Sequence, residues 1–273
     1  MSFTRGPLTL FLIVAVVSGF LFYKGYKTPV GGSDASDTHD HAAHAFEMGE
    51  YMDERKQELP GPVRERINAL EKDEKSKTGL ENLIVLWDSL NNQLISAHYM
   101  TMYAELEPTE KNWFAAGSKF YTFASLSHDS IMMNEAAGKA KHAFEKVLAL
   151  NASNLDAQTA LAAIYIQVDQ DVMKGVGLLK EVVEKDSNNI QAIFTLGMLS
   201  IQSGQFDKAE ERFQKLISIQ PFNPEYYFYL GEVYAKAGDT QKAIKTYETC
   251  KTLLKDEAAK KEIESLINKL KNI

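Results

Sequence analysis

Ile190 to Asn223 reads IQAIFTLGMLSIQSGQFDKAEERFQKLISIQPFN, and Pro224 onward reads PEYYFYLGEVYAKAGDTQKAIKTYETCKTLL. The two stretches start 34 residues apart and carry the same marks in the same places: Leu196-Gly197 against Leu230-Gly231, then Gly204 against Gly238 seven residues on. Five residues later stand Ala209 and Ala243, and four beyond those stand the aromatics Phe213 and Tyr247. Pro221 closes the first copy, and Tyr234 belongs to the signature of the second. Each copy reads as two helices joined by a tight turn. A glycine on the first helix lets the second approach closely, and the later glycine supplies the backbone freedom of the turn. Ala209 and Ala243 are small where the helices touch, and Phe213 and Tyr247 plug the space between copies. Each helix pair leaves an apolar face that only a neighbouring pair can bury, so such units must stack.

A 34-residue period with these residues resembles the tetratricopeptide-repeat (TPR) family. Two further copies lie upstream. Leu155 to Asn189 keeps Leu161, Ala162 and Tyr165 in its first helix and Gly175 and Leu179 in its second, with one extra residue in the turn. The copy before it opens with Trp113, Ala116, Gly117 and Phe120 and resumes at Ala140, Phe144 and Leu148, after an insertion of about eleven residues. Thr122 to Glu135 is therefore expected as extended helices or a protruding loop. Leu83, Leu86, Trp87 and Leu90, followed by Ser96, Met100, Tyr103 and Pro108, read as a degenerate first repeat. Asp256 onward is an amphipathic helix with Ile263, Ile267 and Leu270 on one side, the solvating cap that a stacked array needs.

The resemblance implies an all-α architecture: a TPR superhelix, or α-solenoid, over residues 80–255 with a capping helix at 256–273. It also implies that the first helix of each pair lines a concave groove. By register the groove candidates are Phe114, Tyr121, Ile166, Phe194, Met198, Ile201 and Phe228, interspersed with Ser118, Asp156, Thr159, Ala163, Gln191, Glu225, Glu232 and Lys236. Aromatic and Met side chains in a groove fit an apolar or extended peptide. Cochaperone members of the family hold a terminal carboxylate with a Lys/Asn/Arg clamp. Phe114, Ser118, Thr159, Ala163, Phe194 and Met198 stand at those positions here, so carboxylate-tail recognition is not expected.

Leu8 to Tyr23 reads LTLFLIVAVVSGFLFY, a charge-free run followed by Lys24 and Lys27. Residues 1–7 form a short tail, and 8–27 read as a transmembrane signal anchor, because lysines directly after the run suit a stop at the headgroups and Val17-Ser18-Gly19 matches a cleavage site poorly. Residues 28–44 form a flexible linker carrying His39, His41 and His44. These three are the weak metal-ligand candidates of the sequence, and no fixed geometry closes a coordination sphere around them. Residues 45–79 read as a charged helical stalk, split by Pro60-Gly61-Pro62, with Met48 and Met52 on its first helix and Val63, Ile67 and Leu70 in a stripe on its second.

The net charge of −7 argues against nucleic acid as a partner. A single cysteine, Cys250, excludes an internal disulfide. No phosphate loop, His-Glu-x-x-His helix or Gly-x-Ser-x-Gly elbow occurs, so neither an enzyme, a cofactor nor a small-molecule substrate is expected. The layout of one N-terminal anchor followed by repeats is similar to bacterial envelope TPR proteins. It implies an inner-membrane protein with its array on the periplasmic side, acting as a protein-binding scaffold. The alternative is a structural protein whose array drives self-assembly into homo-oligomers.

Overall fold

The computed structural model describes residues 46–272, and among them every regular element is a helix. The order is α1 (Met48–Gln57), α2 (Gly61–Glu71), α3 (Lys77–Ser89), α4 (Gln93–Leu106), α5 (Glu110–Leu126), α6 (Ser130–Leu150), α7 (Leu155–Gln167), α8 (Val172–Lys185), α9 (Ile190–Gln202), α10 (Phe206–Ile219), α11 (Pro224–Ala237), α12 (Thr240–Leu253) and α13 (Glu257–Lys271). Short polar residues start most of them. Asn92, Thr109, Asn154, Asn189 and Asn223 accept a backbone N–H of the first turn of α4, α5, α7, α9 and α11. Such caps satisfy orphan donors and contribute about 1 kcal/mol each. No helix among the described residues is long and apolar enough to cross a membrane. The expected anchor 8–27 and the linker 28–44 with His39, His41 and His44 lie outside the described residues.

The chain forms two compact units, one ending at Asp169 and one beginning at Gln170. In the first, α1 and α2 pack on the helices that follow them. Ile67 is fully buried in a cluster with Leu83, Trp87, Ile95 and Tyr99 of α3 and α4, and Met52, Val63 and Leu70 pack against it. Burying a side chain such as Ile67 is worth roughly 1.5–3 kcal/mol. The polar rim closes the same contact: Tyr99 Oη donates to Glu71 Oε1 at 3.0 Å, and Lys56 pairs with Glu71 at 3.2 Å. The expected stalk is thus the first layer of the array. The apolar stripe Val63-Ile67-Leu70 had to be covered, and the degenerate first repeat supplies the surface.

The insertion in the second repeat is taken up as extra helical turns. Helices α5 and α6 have 17 and 21 residues, against 13 or 14 in the helices of the later repeats. They meet at a short tip where Asp129 accepts from Ile131 and Met132 N–H.

In the second unit, the tight turns of the two matched repeats use Gly204 (φ 71°) and Gly238 (φ 85°), a left-handed backbone that glycine adopts without a Cβ clash. Ala209, Phe213, Ala243 and Tyr247 are at most 1% exposed, as their places between helices require. A Cβ built on Gly231 would lie 2.6 Å from the Tyr247 ring, and one on Gly197 would lie 3.1 Å from Phe213. The first unit repeats the device, with Gly117 facing Phe144 at 2.9 Å. Trp113, Ala140, Leu161, Ala162, Tyr165, Gly175, Leu196, Leu230 and Tyr234 are buried, and Pro221 is exposed in its turn. Helix α13 ends the unit by laying Ile263 and Ile267 inward and leaving its Lys and Glu residues outward.

Candidate protein-binding surface

Helices α5, α7, α9 and α11 are the first helices of their pairs, and their register positions opposite the second helices carry the groove candidates. Three residues before each close-approach glycine stands a phenylalanine: Phe114, Phe194 and Phe228. Each packs a ring on the aromatic of its own second helix: Phe114 on Phe144 at 5.4 Å, Phe194 on Phe213 at 6.0 Å and Phe228 on Tyr247 at 6.0 Å. These ring contacts, edge-on for Phe114 and Phe194 and tilted for Phe228, hold the rings in place and contribute on the order of 1 kcal/mol each.

Their exposure differs, and the next repeat decides it. Phe194 is only 3% exposed, because Tyr226 and Tyr229 of α11 cover it with ring centroids at 6.2 and 5.3 Å. The residues one repeat earlier than these tyrosines are Ala192 and Thr195, and one further back are Ala157 and Ala160, which carry no ring. Phe114 and Phe228 are half-buried. Tyr121 is also buried. Its hydroxyl donates to Gln167 Oε1 at 3.0 Å, and burial pushes its pKa well up. Met198 is buried as well. Phe194, Tyr121 and Met198 are therefore corrected from groove-lining to core residues, while Phe114, Ile166, Ile201 and Phe228 keep part of their surface open. The ring-bearing pair Tyr226 and Tyr229 is visible in the sequence, but only its packing onto α9 shows that it covers Phe194.

On α11 the open Phe228 sits between two carboxylates, one turn to either side. Burial raises the pKa of the Glu225 carboxyl. Glu232 accepts the Tyr247 hydroxyl at 2.6 Å. In the first unit, Ser118 Oγ is buried without a hydrogen-bond partner among the described residues.

His98 and His142, distant in sequence, line one cavity of about 300 Å³ with Trp113, Phe120, Glu135 and Lys139. His142 packs edge-on to Trp113 at 6.2 Å. Burial, and then the charge of Lys139, holds His98 below its ordinary pKa. No group of three His, Cys, Asp or Glu among the described residues is arranged to hold a metal ion. Cys250 is buried, donates to the Pro224 carbonyl and has its thiol pKa pushed up to about 11 by burial, which leaves it an unreactive packing residue.

The fold and the recurring glycine–aromatic contact define an all-α solenoid of tetratricopeptide repeats, a class that in general mediates protein–protein interaction. Residues 194–251 match the tetratricopeptide repeat family. The mitochondrial import receptor subunit TOM70 of Rattus norvegicus is 29% identical over 82 residues, which is 30% of this chain and 13% of that protein. Superkiller protein 3 of Schizosaccharomyces pombe is 26% identical over 126 residues, 44% of this chain and 9% of that protein. The chain thus spans 13% or less of the length of these curated relatives. Among solved structures, the MamA 41-end fragment from Desulfovibrio magneticus RS-1 superposes with a TM-score of 0.52 at 18% identity, covering 65% of this chain and 94% of that one. That likeness is one of fold.

Proposed function

We propose that this chain is a protein-interaction scaffold whose inner repeat faces hold an apolar segment of a partner protein. The observation that carries the reading is the part-open apolar side chains at two equivalent places of the first helices: Phe114 in the first unit and Phe228 in the second at one, Ile166 and Ile201 about two turns further along at the other. Phe114 and Phe228 are pre-positioned by ring packing on their own helix pairs, so a ligand would not have to order them, which favours binding. In this reading residues 8–27 tether the array to a membrane, on the strength of the charge-free apolar run 8–23 and of Lys24 and Lys27 after it. The setting proposed is a bacterial inner membrane with the repeats on its periplasmic side.

The test is a photo-crosslinking amino acid placed at Phe228, and separately at Ile201, in the full-length protein in cells, with captured species identified by mass spectrometry. The expected result is the same small set of other proteins from both positions. Capture of the chain alone would transfer the inner face to self-assembly, and the structural reading would replace the scaffold.

A further inference from the structure

The outer side of the second unit carries a feature that the inner-face reading does not use. Helices α8 and α10, the second helices of successive pairs, run beside one another with α9 as the floor. Between them lie two adjoining cavities of about 410 and 460 Å³ that share Lys180, Leu196 and Arg212. They form one trough with Arg212 at its middle.

The walls carry four cations, Lys180, Lys208, Arg212 and Lys215, against two carboxylates, Glu184 and Glu211. This excess of positive charge stands out in a chain of net charge −7. Elsewhere lysines pair readily, as Lys251 does with Glu264 at 3.1 Å and Lys141 with Asp169 at 2.7 Å. None of the four trough cations forms an ion pair among the described residues. Arg212 is the telling one. It is half-buried, and its Nη1 donates only to neutral groups, the Leu196 carbonyl at 3.2 Å and the buried Ser200 hydroxyl. Those contacts fix the guanidinium's direction, and burial, only partly offset by Glu211, lowers its pKa. A partly desolvated cation that makes no ion pair, and whose charge Glu211 offsets only in part, is unfavourable in the free protein and becomes favourable when an anion arrives. At one end of the trough, Val172 and Met173 are 43% and 82% exposed, an apolar lip beside the charges.

We propose that this outer trough is a second binding site, for a peptide segment of a partner protein that sets an Asp or Glu side chain against Arg212 and an apolar side chain against Val172 and Met173. The charge balance selects an acidic segment. The position of Arg212 on the α10 wall, half-buried inside the trough, selects a side chain that can enter over a flat anionic surface. The site is independent of the inner face, which uses α9 and α11 from the opposite direction.

The experiment is selection of random dodecapeptides displayed on phage against the full-length protein. Recovery is then compared on Arg212→Met, on Lys180→Gln with Lys215→Gln, and on Phe228→Ala, each first checked for an unchanged circular dichroism melt. The expected result is a class of peptides with Asp or Glu beside Leu, Met or Phe. Their recovery falls about tenfold on Arg212→Met, severalfold on the double lysine variant, and not at all on Phe228→Ala. The lysines are exposed, so that variant keeps the test valid if Arg212→Met unfolds. The proposal is overturned if no peptide depends on these cations, or if those that do lack acidic residues. Peptides that depend on Phe228 alone would support the inner-face reading and overturn this one.

Discussion

Replacing Gly231 by alanine tests the physical account of the repeat most directly. The new Cβ would sit 2.6, 2.7 and 3.0 Å from three carbons of the Tyr247 ring, so the ring must retreat by roughly 0.8 Å to reach ordinary contact at 3.4 Å. It has little room, being 1% exposed, and its hydroxyl is tied to Glu232 at 2.6 Å. Overpacking of this kind costs about 1–3 kcal/mol. Loss of the Tyr247–Glu232 hydrogen bond adds about 1 kcal/mol. Against this, alanine favours a helix interior over glycine by about 1 kcal/mol. The net expectation is a destabilisation of about 1–3 kcal/mol, or a fall of roughly 10 °C in the melting of this region. Thermal unfolding of the full-length protein by circular dichroism reads the size, and hydrogen exchange should place the loss in α11 and α12. Gly197→Ala, whose Cβ meets Phe213 only at 3.1 Å, should lose less. Gly231→Ala combined with Tyr247→Leu should recover part of the loss, since the two residues are in contact. A Gly231→Ala protein as stable as the parent, or no recovery on shrinking Tyr247, would refute the close-approach argument.

Gly138, by contrast, lies exposed within α6 with nothing within 4 Å of a Cβ built there. Gly138→Ala should therefore stabilise the protein by about 0.5–1 kcal/mol, read as a rise in melting temperature. His98 gives a pH prediction. Its pKa in the folded state lies below the usual 6.5 because of burial, so the unfolded chain takes up its proton first as pH falls. The stability His98 contributes is full above about pH 6.5 and is lost as the pH falls from there through the lowered folded value. His98→Gln should flatten that part of a stability–pH profile measured by urea denaturation, and a profile unchanged by the substitution would remove His98 from the account.

Most of the helical hairpins were legible without coordinates, because the marks that define them recur at fixed spacing. The pairing of Gly197 with Phe213 and of Gly231 with Tyr247 follows from a glycine and an aromatic in equivalent places, and the structure puts each glycine against its own ring. The extra length of the second repeat was visible as an insertion, but its form as lengthened helices rather than a loop depended on α5 and α6 covering one another. The stripe Val63-Ile67-Leu70 announced a face that needed cover. That Leu83, Trp87 and Tyr99 supply that cover is a contact between distant segments that periodicity cannot state. The cations of the outer trough are spread over α8 and α10, and in the sequence they read as ordinary solvated charges.

The sequence by itself determined the local unit: two helices, a glycine turn, a small residue at the helix contact and an aromatic plug. These are properties of residues a few positions apart, set by backbone freedom and side-chain volume. Only the tertiary structure decided which of three equivalent phenylalanines is covered. Phe194 is closed by Tyr226 and Tyr229, while Phe114 and Phe228 keep an open edge. Burial in a stacked array is a property of the neighbouring repeat, so a side chain's availability to a partner is settled by residues a full repeat away from it.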